Sequence, residues 1–275
     1  MSSSIYHFFK DLVEKKALLK DCENLENFPF NNNLISFTRK TLFPDIGIKV
    51  CKNDELFEGG ELVEIKDARN FIISSFNSTF PKGEKEIKSI VKIKSEARKQ
   101  MKIAGEDLED LPIRQIYYLI RGSKQHHSKV ILVHGSFFEV NSTDDLIAKS
   151  FVKVLEENLK RNGFEIDDEI ERLMKKFSPQ QSDFSKTRQI ENYPISVRFR
   201  IMTAASPESN LLNSAKYKQI EDDSINFILS FNKDEDKAKI EERMFDVFGD
   251  SFYSFKSFTL EHSYNGNFLV FQQAI

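Results

Sequence analysis

The sequence predicts an α/β (α+β) protein, a central mixed β-sheet flanked by helices. Two observations predict it. Apolar residues recur at helical spacing at residues 5–13 and 146–159, and segments dense in β-branched, aromatic and leucine residues are scattered between and beyond them. Strands and helices interleave along the whole chain, which disfavours either pure class.

Each element has its own signal. Ile5, Phe8, Phe9, Leu12 and Val13 follow a serine run that can cap a first helix. Residues 41–50 turn extended, and Leu62, Val63 and Ile65 follow Gly59 and Gly60, so this region reads as a hairpin. Residues 116–120 and 130–140 read as core strands separated by Gly122, Ser123 and the polar stretch 124–128. Ser142, Thr143, Asp144 and Asp145 start a helix whose apolar face runs through Leu146, Ile147, Phe151, Val154 and Leu159 to a stop at Gly163. A second helix begins near Ile166, and residues 178–188 read as a loop. From Tyr193, Ile195, Val197, Phe199 and Ile201 alternate with Ser196, Arg198, Arg200 and Met202, the period of a half-buried strand. Further strands fit residues 225–231, 251–260 and 268–271, with a helix near 238–248.

With 275 residues and 40% hydrophobic content, the chain can bury a large core. No stretch approaches the roughly 18 consecutive apolar residues of a membrane span. No early apolar stretch follows a basic start as in a signal peptide, and the two cysteines, Cys22 and Cys51, sit in unlike contexts, so the sequence predicts a cytoplasmic protein with free thiols and no membrane role. A net charge of −3 argues mildly against a polyanion partner. Against that, Lys82, Lys85, Lys88, Lys92, Lys94, Arg98, Lys99 and Lys102 form a local basic run able to hold phosphates or, equally well, to line a solvated helix face. Walker, Rossmann and Gly-x-Ser-x-Gly patterns are missing, so no nucleotide cofactor is expected.

The chemistry-bearing pattern is Pro44–Asp45, then eighteen residues, then Glu64–Ile65–Lys66. Glu-x-Lys also occurs at Glu14, Glu86 and Glu235, but in segments that read as helical, where positions two apart diverge. On a strand, Glu64 and Lys66 share a face while Val63 and Ile65 point the other way. Here the chain resembles the PD-(D/E)XK nuclease superfamily over residues 43–80, and its size resembles that of type II restriction enzymes within it.

That resemblance implies a restriction-endonuclease-like core with added recognition segments. It assigns a single nuclease domain over 1–275, the catalytic core at about 1–140 and recognition or dimerisation elements at about 141–275. It also implies double-stranded DNA as substrate, a homodimer matched to a two-fold symmetric site, and Mg2+ as cofactor. Asp45, Glu64 and Lys66 would be catalytic. Asp45 and Glu64, with the Ile65 carbonyl, would hold the metal, which prefers oxygen ligands. Lys66 would orient and deprotonate the attacking water or stabilise the pentavalent phosphorus. An acidic residue from an earlier helix often assists in this superfamily, with Glu14, Glu23 and Glu26 as equivalent candidates.

DNA contacts are expected from the short polar groups after the catalytic strand, which include Asp67, Arg69, Asn70, Ser75 and Asn77, and from Lys82. Arg198 and Arg200 share a strand face and could span phosphates or read guanine, and Lys216 and Lys218 are weaker candidates. His126, His127 and His134 lack the spacing and companions of a zinc set. The alternatives are a noncatalytic nucleic-acid-binding or protein-interaction module, and a structure-specific or nonspecific repair or defence nuclease.

Overall fold

A computed structural model describes residues 4–38, 43–53, 56–73, 75–76, 83–91, 94–106, 109, 111–139, 143–165, 167–176, 188–190, 193–195, 203–204 and 209–275. The helices are α1 (Ser4–Glu14), α2 (Lys16–Asp21), α3 (Ile87–Ile90), α4 (Glu96–Ile103), α5 (Thr143–Arg161), α6 (Asp168–Lys176) and α7 (Asp234–Phe248). The strands run from β1 (Ile35–Thr38), β2 (Ile46–Ile48), β3 (Cys51–Asn53), β4 (Leu56–Glu58), β5 (Leu62–Arg69), β6 (Ser75–Phe76) and β7 (Glu84–Glu86) to β8 (Ile113–Lys124) and β9 (His127–His134). They continue as β10 (Arg188–Ile190), β11 (Tyr193–Ile195), β12 (Thr203–Ala204), β13 (Ser224–Phe231), β14 (Lys256–His262) and β15 (Gly266–Ala274).

Nine strands form one mixed sheet in the order β1-β2-β5-β8-β9-β13-β15-β14, with β7 also on β8. β5 pairs with β8 and β9 with β13 in parallel; the other pairings are antiparallel. Both faces are covered, as the long apolar runs of β8, β9 and β13 require. On one face Val63, Tyr117, Leu119, Val130, Leu132, Ile225 and Phe227 pack beneath α1 and α7. α1 contributes Ile5, Tyr6, Phe8, Phe9 and Leu12, and Phe9 stacks on Phe227 at 4.7 Å between ring centroids. On the other face Leu62, Ile116, Tyr118, Ile120, Ile131 and Val133 pack against Ile87, Val91, Ala97, Met101, Phe137, Leu211 and Leu212.

The expected hairpin is β2 against β5, with Ile46 opposite Val63, and β3 and β4 form a small ribbon in its connection. Gly59 and Gly60 close it with φ of 94° and 82°, which glycine adopts without a Cβ penalty. Gly60 also lies against Arg114, whose buried guanidinium donates to the Gly60 carbonyl at 3.1 Å and pairs with buried Glu106 at 3.4 Å. This anchors the turn that leads into β5.

The structure revises several boundaries. The polar stretch between the two core strands is not a loop: β8 runs through Gly122 and Ser123, and only Gln125 and His126 turn. Gly122 is there because space is short, since a Cβ would sit 2.7 Å from Leu212 Cδ1 and 2.9 Å from Phe71 Cδ1. Residues 135–138 form a 3-10 turn rather than the end of a strand, and so do residues 249–254.

The chain divides into one compact unit of residues 1–139 with 204–275 and another of 140–203. The sequence grouped 204–275 with 141–203, but β13, β14 and β15 complete the sheet that β2, β5, β8 and β9 begin. The second unit contains α5, α6 and the antiparallel pair β10–β11. The expected loop at 178–188 lies almost wholly outside the described residues, as does the expected strand beyond Ile195.

Candidate active site

Asp45 enters β2 tied to β5 twice. Its backbone N–H donates to the Val63 carbonyl at 3.1 Å, and its Oδ2 accepts from the Ile65 N–H at 2.7 Å. The second bond sets the carboxyl across the middle of the Glu64–Ile65–Lys66 segment. Ile65 thus meets Asp45 through its N–H, and its side chain packs toward the α1 face.

Glu64 and Lys66 leave β5 on the opposite face, beside Tyr118, which is the register partner of Glu64 on β8. Lys66 Nζ lies 2.6 Å from Glu64 Oε1, and the two side chains are 23% and 7% exposed. Glu64 Oε2 is buried with no hydrogen-bond partner.

Electrostatics mark the same place. Burial, and then the negative charge of Glu64, push the Asp45 carboxyl from 3.8 up to about 7, against the pull of the Ile65 N–H and the Lys66 cation. Two carboxyl groups therefore face each other where water is scarce, and only one of their neighbours is a cation. Such a pair is satisfied by a shared proton or by a hard cation between the oxygens. The orphaned Oε2 and the all-oxygen donor set fit a divalent ion of the magnesium type. Burial together with Glu64 also raises the Tyr118 hydroxyl well above its ordinary range. Sequence spacing pointed to Asp45, Glu64 and Lys66 but missed Tyr118, whose nearness follows only from the parallel β5–β8 register.

The other expected residues are placed as follows. Arg69 is exposed at the end of β5, and Asn70 is exposed in the turn beyond it, at φ 56° with its N–H on the Ser123 carbonyl. Ser75 falls in β6, but its side chain is not among those described, and Asn77, Lys82, Arg198 and Arg200 lie outside the described residues. Asp67 is structural: it accepts from the Leu25 N–H at 2.8 Å and from Arg121 Nε at 2.7 Å. Glu14, Glu23 and Glu26 are exposed, while Asp11 on α1 is buried and paired with Lys15 at 2.8 Å. Among the described residues no group of three His, Cys, Asp or Glu side chains gathers to hold a metal. His127 lies 2.7 Å from Asp223, and His134 is buried between Gln115 and Ser136. No described helix is long and apolar enough to cross a membrane. Comparison with protein-family models, curated proteins and solved structures finds no match to this chain.

Proposed function

We propose that the protein is a Mg2+-dependent endonuclease of the type II restriction kind, hydrolysing double-stranded DNA at specific sites as a cytoplasmic homodimer. The observation that carries the reading is the meeting of two carboxyl groups, Asp45 and Glu64, beside one ammonium, Lys66, with a buried oxygen left over. A bare surface ion pair would need neither the second carboxylate nor the burial. The free thiols of Cys22 and Cys51 suit a reducing compartment.

Phosphodiester hydrolysis needs a water to attack, stabilisation of charge on the phosphoryl oxygens and help for the departing 3′ oxygen. A magnesium ion supplies Lewis acidity to the phosphate. Asp45 and Glu64 would hold it, with the Ile65 N–H fixing the Asp45 carboxyl in place. Lys66, which pairs with Glu64 here, would be free to orient the water or to meet the charge growing on the phosphate once Glu64 held a metal. The strand fixes both groups on one face, so neither has far to move.

Digestion of a fully sequenced plasmid with Mg2+ and with chelator, followed by end sequencing, tests the proposal. Discrete fragments only with Mg2+ are expected. A smear would move the reading to a nonspecific nuclease, and intact DNA under every metal condition would leave a noncatalytic binding module.

A further inference from the structure

A second concave site lies on the opposite face of the sheet from Glu64 and Lys66. It is a cleft of about 450 Å³ where β9 and β13 end and α7 begins, and Tyr6, Gln115, His134, Asn232, Lys239 and Arg243 are among the residues lining it. The carboxyl ends of adjacent parallel strands, next to the helix that follows, are a recurrent place for ligands.

Two features of the lining lack a protein explanation. Lys239 and Arg243 stand one turn apart on α7, and neither makes an ion pair or hydrogen bond with any described residue. Arg243 is half-buried, a costly place for an uncompensated guanidinium. The second feature is Tyr6, which is 0% exposed, with its hydroxyl unpartnered and within the fields of both Arg243 and the Glu61 carboxyl. A buried hydroxyl left without a partner costs stability unless something else supplies one.

The remaining polar groups are already engaged. Gln115 donates through Nε2 to Glu84 and accepts at Oε1 from His134 Nε2, Asp236 accepts from the Asn232 N–H at 3.4 Å, and His134 also meets Ser136 at 2.7 Å. Burial holds His134 neutral, with its pKa lowered to about 4, so the cations among the described lining residues are Lys239 and Arg243 of α7. Two cations and a buried hydroxyl thus line the cleft together with two carboxylates, Glu84 and Asp236, and neither cation is paired with them.

We infer that this cleft binds the phosphoryl group of a small phosphorylated molecule, held by Arg243 and Lys239 with the Tyr6 hydroxyl donating to one oxygen. A tetrahedral oxyanion takes the guanidinium fork and the ammonium together, and it supplies the acceptor that Tyr6 lacks. Glu84 and Asp236, which line the same cleft, offer acceptors to hydroxyl or amino groups on the rest of the ligand. This inference does not depend on the nuclease reading, because no residue is shared between the two sites.

The test is calorimetric titration of the full chain with inorganic phosphate and with adenosine 5′-monophosphate at constant ionic strength. Saturable 1:1 binding is expected, weakened about tenfold or more by Arg243→Gln, as for loss of a charge-assisted hydrogen bond. Tyr6→Phe, which removes only an unpartnered hydroxyl and so keeps the fold, should weaken it by about threefold to tenfold. Either order of the two affinities supports a phosphoryl site, and the tighter probe identifies its source as the free ion or an ester. The inference is overturned if neither probe binds, or if both bind the two variants as tightly as the parent chain.

Discussion

At Asp45 two forces oppose each other. The Ile65 N–H and Lys66 favour the ionised carboxyl, burial and Glu64 disfavour it, and the balance raises its pKa from 3.8 to about 7. Between those values the folded chain keeps a proton that the unfolded chain has released. Without divalent ions, stability should therefore fall as pH rises from about 4 to about 7, and urea midpoints across that range should lose this slope in Asp45→Asn. A cation held there would expel the same proton, so Mn2+ affinity measured by calorimetry should climb with pH until about 7 and then level off. Glu64 and Lys66 were legible as a pair because strand period alone puts them on one face. The bond from the Ile65 N–H to Asp45 was not, because a backbone donor leaves no trace in residue identity.

The elements that hold this centre are the central strands, and β8 shows where sequence patterns succeed and fail. The apolar run at 116–120 announced a strand, yet Gly122 and the polar residues after it imitated a loop. In the fold that glycine is a spacer beneath Leu212 and Phe71, both far away in sequence. Gly122→Ala should cost about 1–3 kcal/mol, as overpacking of a tight core does, and a thermal melt would show it as a lowered midpoint. Arg121 next to it is held by Asp67 at 2.7 Å and by the carbonyls of Leu19, Cys22 and Glu23, so the polar residues following Lys66 divide into a structural anchor and exposed groups. Asp67→Ala should destabilise by about 3 kcal/mol at most, since carbonyls still solvate the guanidinium, and chemical denaturation would measure it.

For the whole molecule, the parallel pairing of β13 with β9 decides what can fold. Residues 204–275 supply three strands and α7 to the sheet unit, so the fragment 1–140 should show no cooperative melt by circular dichroism despite containing Asp45, Glu64 and Lys66. Periodicity located β13 and α7 in the sequence, but parallel pairing between distant segments is a tertiary choice that periodicity does not encode. The 32.0 kDa chain should sediment at twice that mass if it meets a two-fold symmetric site as a dimer. The central claim is that three side chains at the β2–β5 hairpin form one phosphodiester-cleaving centre. Its most direct measurement is plasmid cleavage with Mg2+ by the parent chain and by Asp45→Asn, Glu64→Gln and Lys66→Ala, with DNA binding followed in parallel. Each variant should lose about a thousandfold or more in rate while still binding DNA. Cleavage by any of the three at the parent rate would contradict the assignment.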